Sequence, residues 1–236
     1  MRASLPSSRN ARRAGRTPEM SAPARQVAHC PDDILSQCAA LMARQGYHGT
    51  SMRDLARTTG RSLSGLYHHF ASKEDLLYLI NERGFSSLLS NAERLRDAYR
   101  AEVRRRPAGT SEVAGLLRDL ITAHVDYFSR HRSEMRVLML GTQPMSPAHG
   151  EAVRRLKQRY SDVLSYAVSE YMAVYAPGTA RSEVERKAWL LFGMMNWVFG
   201  WYAVDELGSP RDLTTDIFGI FTQGCLASSP VVTTSE

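Results

Sequence analysis

Apolar side chains recur at helical spacing from residue 32 onward, and no stretch alternates apolar and polar residues as a half-buried strand would. In the first predicted helix the buried face carries Ile34, Leu35, Cys38, Leu41 and Met42. Gly46 follows and is expected to end this helix, since glycine readily adopts the conformation found just beyond helix ends. The pattern predicts an all-α protein of about nine helices.

At three predicted helix starts a serine is followed three positions later by an acidic residue, the spacing of a capping box. These serines are Ser51, Ser72 and Ser182. The helix from Ser51 is short and ends at Gly60. The next, SLSGLYHHF, is equally short, whereas the apolar pattern after Ser72 continues to Tyr99, and that helix is expected to end in the basic stretch from Arg104 to Pro107.

The remaining chain predicts a larger helical unit. Helices are expected at residues 113–128, 132–140 and 147–175, then from Ser182 through an apolar segment, and finally from Pro210 to about residue 226. Proline suits the first position of a helix. The predicted organisation is therefore an arm at 1–28, a small helical domain at 29–80 and a helical bundle at 81–228.

The net charge of +6 is concentrated in the first 25 residues, which contain six arginines and one acid. Their composition, rich in Ser, Ala, Arg and Pro, cannot bury enough apolar surface to order the segment. Four interpretations remain open: a solvated tail, a translation start at Met20, a transit peptide, or a basic arm that strengthens nucleic-acid binding. The three cysteines lack CxxC spacing, which predicts a reduced cytoplasmic protein without a metal or other cofactor.

Residues 188–204, AWLLFGMMNWVFGWYAV, contain no charge. Their length is the lower limit for a membrane span, but Asn196 lies in the middle. A helix apolar on all sides also suits a buried core or a subunit contact, and we expect that role rather than a membrane. Gly193 and Gly200, seven residues apart, would let a partner helix approach closely. The last two long helices are therefore the predicted dimer contact.

Two short helices joined by a tight turn and supported by neighbouring helices form a helix-turn-helix, whose second short helix enters the major groove of DNA. Such a unit needs an apolar supporting face, predicted to contain Leu55, Ala56, Leu66 and Phe70. It also needs an exposed face with hydrogen-bonding side chains, predicted to contain Ser62, Ser64, Tyr67 and His68. Double-stranded DNA is the expected partner.

The order of residues in RQGYHGTSMRDLARTTGRSLSGLYHHFASKEDLL resembles the N-terminal domain of the TetR family of bacterial transcriptional regulators. That family has a G-Y/F-x-x-T-S/T start, a G-V-S-x-G-x-L-Y-x-H-F recognition segment and an S-K-E-x-L-L end. The resemblance implies a homodimer with a DNA-binding head, a variable helical body that binds a small effector, and repression as the commoner behaviour.

The resemblance also implies roles for matching residues. Ser51 would cap a helix and approach a phosphate, and Arg53 would contact a base or phosphate. Tyr67 and Lys73 would hold the DNA backbone, while His68 would touch DNA and His69 would turn inward to pack and hydrogen-bond. The complete predicted DNA-binding set is Ser51, Arg53, Arg61, Ser62, Leu63, Ser64, Gly65, Tyr67, His68 and Lys73.

The recognition segment departs from the family pattern in two places. Arg61 stands where most members have a buried valine. The glycine and the small hydroxyl residue have exchanged places at Ser64 and Gly65. The operator sequence therefore cannot be inferred from the resemblance.

The adjacent histidines His68 and His69 do not predict a metal or catalytic site. Neighbouring side chains on a helix point about 100° apart, and histidine pairs that bind one metal on a helix are usually four residues apart. DNA contact or local packing explains both rings better.

The segment NWVFGWY resembles family members that bind fatty or aromatic acyl-CoA thioesters. We predict an effector site formed by His124, Phe128, Asn196, Trp197, Trp201 and Tyr202. An alternative places the aromatic residues in the core or the dimer contact, and His124 and Asn196 among ordinary hydrogen-bonded core residues.

Two other classes of protein compete with a ligand-responsive regulator. One is a helical-bundle enzyme acting on an apolar or acyl-CoA substrate, although the sequence has no nucleophile elbow, phosphate loop or paired carboxylates. The other is a scaffold that no longer binds DNA.

Overall fold

The computed structural model describes residues 32–106, 109–140 and 145–226, which contain eleven α-helices and no strand. The helices are α1 (Asp32–Gln45), α2 (Met52–Thr58), α3 (Leu63–His69), α4 (Lys73–Val103), α5 (Thr110–Arg130), α6 (Arg132–Leu140), α7 (Pro147–Tyr175), α8 (Arg181–Asn196), α9 (Val198–Trp201), α10 (Val204–Leu207) and α11 (Pro210–Leu226). The all-α prediction is confirmed. The predicted arm at 1–28, with Met20, lies outside the described residues.

Helices α1 to α3 and the start of α4 form the head of the molecule. Gly46 and Gly60 follow α1 and α2 with φ angles of 77° and 64°, which glycine adopts without steric cost. Leu55, Leu66 and Phe70 are almost completely buried between these helices. Their burial fixes the angle between α2 and α3, as the sequence predicted.

The long helices α4 and α7 pack along each other and form the centre of the body. Helix α5 packs against both and against α11, while α6 lies against α1 and α4. Helix α4 continues without a break through residue 80. One helix therefore belongs to both the head and the body.

The single apolar helix predicted after residue 182 is wrong, because the chain breaks at Trp197 into α8, α9 and α10. The break lets Val198, Phe199 and Tyr202 become buried, with α9 against α5 and α6. The Tyr202 hydroxyl donates to the Gly208 carbonyl at 2.6 Å and closes the turn. Long-range packing thus overrides local helical continuation, and Gly193 and Gly200 lie on different helices. None of the helices described is long and apolar enough to cross a membrane.

The predicted cap at Ser182 is also wrong. Helix α8 begins at Arg181 with Ala180 as the N-cap residue, so Ser182 is already inside the helix and caps nothing. The Ala180 carbonyl accepts the first backbone hydrogen bonds, from Glu183 at 2.9 Å and Val184 at 3.1 Å. The chain enters helical geometry directly after the turn at Gly178, before the serine is reached.

Candidate DNA-binding face and ligand cavity

Ser51 caps the first helix of the helix-turn-helix. Its hydroxyl accepts a hydrogen bond from the Asp54 N–H at 3.2 Å, while the Asp54 carboxylate accepts from the Ser51 N–H at 3.1 Å. The Ser51 hydroxyl also donates to the Asp54 carboxylate at 2.6 Å, and this bond, together with the one from the Ser51 N–H, lowers the pKa of Asp54. The reciprocal pair satisfies two backbone donors at the helix start and confirms the predicted capping box.

Ser62 caps α3, the predicted recognition helix. Its hydroxyl accepts from the Gly65 N–H at 3.0 Å and lies 3.2 Å from the hydroxyl of Ser64. A Cβ atom at position 65 would lie 3.1 Å from the Ser62 oxygen, closer than a comfortable contact. A larger residue at this position would require the Ser62 side chain to shift by a few tenths of an ångström.

The outer face of the head presents exposed hydrogen-bonding groups. Ser64, Tyr67 and His68 are exposed along α3, and Tyr67 keeps 48% of its surface accessible. Arg53 and Arg61 are exposed and form no ion pair with any described residue. Each can therefore reach a base edge or a phosphate.

Two neighbouring residues are less available to DNA. The Arg57 guanidinium pairs with the Asp54 carboxylate at 2.7 Å. Leu63, included in the predicted DNA-binding set, is partly buried and packs against the core of the head. The freely available cations of this face are thus Arg53 and Arg61.

The two adjacent histidines of α3 point in different directions. The His68 ring is exposed, whereas His69 is half-buried beside Phe70. His69 Nδ1 is buried and has no hydrogen-bond partner among the described residues, so its predicted packing is found but no hydrogen bond at this atom. No group of three or more metal-binding side chains occurs in the part of the chain that the structure describes.

Lys73 connects α4 to the segment before α2. Its ammonium donates to the carbonyls of Tyr47 at 2.9 Å and Thr50 at 3.0 Å, and it lies 4.2 Å from the centre of the Tyr47 ring. An ammonium has three donors, so one remains for a phosphate. Lys73 therefore holds the N-terminal approach to α2 in place, whatever it contributes to DNA.

A cavity of about 300 Å³ lies inside the body. Its walls come from α4, α5, α6, α7 and α8. They are formed by Phe85, Leu88, His124, Phe128, Met139, Arg154, Lys157, Gln158, Tyr160, Ser161, Trp189, Phe192 and Asn196. The volume and the mainly apolar walls with a few polar groups are typical of small-molecule sites.

His124 and Tyr160 form a buried polar pair in the cavity wall. His124 Nδ1 and the Tyr160 hydroxyl are 2.7 Å apart, and the His124 ring stacks on Phe128 with ring centres 4.1 Å apart. Burial lowers the pKa of His124 to about 3, although the Met195 carbonyl acts in the opposite direction. The imidazole is therefore neutral at physiological pH.

The sequence-based prediction missed a polar stripe on α7. Arg154, Lys157, Gln158 and Ser161 all line the cavity, and their spacing of three or four residues places them on one face of the helix. That spacing was visible in the sequence. It does not reveal whether the face meets water or a cavity, because this depends on how α7 packs against α4 and α8.

The predicted effector residues divide into two groups. His124, Phe128 and Asn196 line the cavity, but Trp197, Trp201 and Tyr202 do not. Trp197 is 59% exposed and Trp201 49% exposed, whereas Tyr202 is buried elsewhere, with its hydroxyl bonded to Gly208. The break after Asn196 separates these groups and directs the later aromatic side chains away from the cavity.

Helices α8 and α11 contact each other and carry large apolar side chains on their outer surface. Leu190 is 66% exposed and Ile220 65% exposed. Apolar surfaces of this kind on a folded protein commonly mark a protein contact.

The head and the body together have the architecture of a helix-turn-helix protein whose helical C-terminal part encloses a cavity. Residues 34–80 match the family described as bacterial regulatory proteins of the tetR family, and residues 110–225 match the tetracyclin repressor-like C-terminal domain. The chain belongs to the TetR family and is a transcriptional regulator.

The chain is similar to a transcriptional repressor, KstR2 of Mycobacterium tuberculosis. The two are 27% identical over 143 residues, which cover 58% of this chain and 66% of KstR2. The chain therefore matches just under two thirds of the length of this relative.

Solved structures share the fold. The TetR-family regulator PfmR of Thermus thermophilus has a TM-score of 0.68 at 24% identity, covering 81% of this chain and 98% of PfmR. AibR, solved with isovaleryl coenzyme A and operator DNA, has a TM-score of 0.64 at 22% identity, covering 80% of this chain and 95% of AibR.

Proposed function

We propose that this regulator represses transcription as a homodimer on a palindromic operator and is released by a small apolar or acyl-CoA-like effector. The main support for the proposal is the course of α4. This helix begins in the head and also lines the cavity in the body. The head is taken as residues 29–80 and the effector-binding and dimerisation unit as residues 81–228.

The exposed face of the head supports DNA binding through two kinds of contact. Tyr67 and His68 lie on α3, where a major groove would receive them, and Ser64 lies near the N-terminus of the same helix. Arg53 and Arg61 supply positive charge beside that helix. Base-edge contacts give specificity and phosphate contacts give affinity, so both are needed for an operator.

The outer surface of α8 and α11 supports the homodimer. A twofold contact uses the same patch on both subunits, so an apolar patch can cover itself. Leu190 and Ile220 are the exposed aliphatic side chains of this patch. Two copies joined here would present two recognition helices, as a palindromic operator requires.

The cavity supports release by a small molecule. Its apolar walls suit an aliphatic or aromatic body, and four of its polar residues lie together on one face of α7. The neighbouring structure of AibR was solved with isovaleryl coenzyme A and operator DNA. By analogy, a thioester of this kind is one candidate effector here.

A polar junction connects the cavity helix α7 to the head. Glu74 accepts a hydrogen bond from the Ser146 N–H at 2.6 Å and lies 3.1 Å from His149 Nδ1. The His149 ring stacks on Tyr78 of α4 with centres 4.2 Å apart. Glu74 directly follows Lys73, which holds Tyr47 and Thr50 beside α2. A ligand that shifts α7 would thus act on the position of the head.

Selection of the purified chain against random DNA duplexes tests the proposal. Enrichment of an inverted repeat supports a dimeric reader with twofold symmetry. The selected duplex then serves to measure release by fatty acids and acyl-CoA thioesters. Failure to enrich any sequence, with folded and dimeric protein, would overturn the proposed operator binding.

The dimer is tested by light scattering on two substitutions at one position. Ile220→Glu places a charge in the proposed contact and should give a monomer, while Ile220→Val should remain a dimer. A dimer that persists in Ile220→Glu would exclude α11 from the contact.

The junction is tested by Glu74→Gln, with Glu102→Gln at the other end of α4 as the control. Glu74→Gln should still bind ligand, while the coupling free energy between ligand and operator falls by about 0.5 to 2 kcal/mol. An unchanged coupling free energy between ligand and operator would show that the contacts of Glu74 do not connect the cavity to the head.

A further inference from the structure

Lys157 differs from the other cations of α7. Arg154 and Arg155 pair with Glu151, and Arg159 pairs with Glu93. Lys157 forms no ion pair among the described residues, and its ammonium lies 5.0 Å from the centre of the Phe85 ring. This ammonium lies at the cavity wall without an anion to balance it.

The surroundings of Lys157 partly desolvate its unpaired ammonium. Its side chain is exposed overall, yet the apolar wall around the ammonium disfavours the charged form and lowers its pKa. A cation that is partly desolvated gains more from an anion than one in open water. The geometry therefore favours a negatively charged ligand group beside Phe85.

A second unsatisfied group lies in the same cavity. His124 is completely buried and neutral, and its Nε2 atom has no hydrogen bond of good geometry to a described residue. When Nδ1 accepts from the Tyr160 hydroxyl, the proton of the neutral ring resides on Nε2. A ligand oxygen that takes the place of the Met195 carbonyl beside this ring would accept a hydrogen bond from the Nε2–H group.

We propose that the ligand of this cavity is an apolar molecule with an anionic group held by Lys157 and a carbonyl or hydroxyl oxygen held by His124. This inference rests on the proposed function only in taking that ligand to be the effector. The anionic group comes either from a free carboxylate or from the phosphates of a coenzyme A thioester. Between the two polar points, Phe128 and Phe192 provide apolar walls.

The anionic requirement is tested by calorimetry without DNA. The probes are straight-chain fatty acids from hexanoate to dodecanoate, the amide of each acid, and the matching acyl-CoA thioesters. An ion-assisted hydrogen bond contributes about 1.5 to 3 kcal/mol, so the wild type should bind an acid about tenfold or more tightly than its amide. Lys157→Met should abolish this preference, and Lys157→Arg should retain it.

Arg155→Met is the matched control, because Arg155 lies on the same helix but does not line the cavity. It should keep the preference for the acid. Tighter binding of the thioesters than of the acids identifies the coenzyme A phosphates as the source of charge; the reverse order identifies the carboxylate. Equal binding of acid and amide together with thioester binding that Lys157→Met leaves unchanged, a preference for the acid that survives Lys157→Met, or no binding by any acid or thioester would overturn the proposal.

The oxygen requirement is tested with oxodecanoates that place a ketone at successive carbons. One of them should bind the wild type more tightly than decanoate, and His124→Phe should abolish that gain. A gain that persists in His124→Phe would overturn the role of the imidazole. Binding of an acid that leaves operator affinity unchanged would instead refute the proposed regulatory function while supporting the ligand chemistry.

Discussion

The head and the body of this regulator are both helical, yet they depend on different kinds of interaction. In the head, the structure follows from short-range signals: Ser51 caps α2, Ser62 caps α3, and glycines end α1 and α2. In the body, the cavity exists because five helices that are distant in sequence meet around it. The head is therefore defined locally, and the body by long-range packing.

This difference teaches where function can vary within one fold. If α3 reads DNA as proposed, changes on its exposed face would alter DNA recognition without disturbing the buried Leu66 and Phe70. Every residue of the cavity wall, by contrast, also belongs to a packed helix. If the cavity holds the effector as proposed, a new effector specificity would require substitutions that keep the volume and polarity of the core compatible.

The largest expected effect comes from removing a buried side chain of the head. Leu66 is fully buried on α3, so Leu66→Ala should cost about 2 to 5 kcal/mol of stability. DNA binding should be lost while ligand binding in the body survives. Chemical denaturation measures the loss of stability, and calorimetry measures ligand binding separately. Loss of ligand binding as well would show that head and body do not fold independently, which contradicts the comparison.

The next largest expected effect is a pH dependence of the unfolding free energy, which arises from a residue of the body. Because burial lowers the pKa of His124 to about 3 from an ordinary value of 6.5, the unfolded chain binds a proton that the folded chain does not. Stability from the neutral ring is fully present above about pH 6.5 and is lost as the pH falls toward 3.

In that interval this residue contributes a slope of up to about 1.4 kcal/mol per pH unit. Replacement His124→Phe should flatten the pH dependence of the unfolding free energy between pH 6.5 and 3. Tyr160→Phe serves as the control, because it removes the partner hydroxyl and leaves the imidazole. An unchanged slope in His124→Phe would mean that His124 is protonated in the folded protein.

A smaller effect separates two serines with the same sequence spacing. Ser51→Ala removes a capping side chain and should cost about 1 kcal/mol. Ser182→Ala removes a serine inside α8 that caps nothing, so its effect should stay within about 0.5 kcal/mol. Thermal unfolding of both variants tests the difference. Equal losses would mean that the start of α8 differs from the structure.

The sequence predicted the head almost completely, since capping, glycine stops and apolar spacing are all local. It also predicted the bounds of α6 and α7, because their apolar stripes are uninterrupted. It failed at Trp197, where burial of Phe199 and Tyr202 determines the chain direction. For the same reason His124 was found and Lys157 was missed: a polar residue within an apolar stripe is conspicuous, whereas a lysine on a polar face is not.

The central claim is that the head reads DNA while the body holds the ligand. It is tested most directly by the salt dependence of operator affinity, measured for the wild type, Arg53→Ala and Lys157→Met. Removing one phosphate contact lowers the slope by about 0.9. The account predicts this decrease for Arg53→Ala and the wild-type slope for Lys157→Met. Equal slopes for the wild type and Arg53→Ala, with a reduced slope for Lys157→Met, would contradict it.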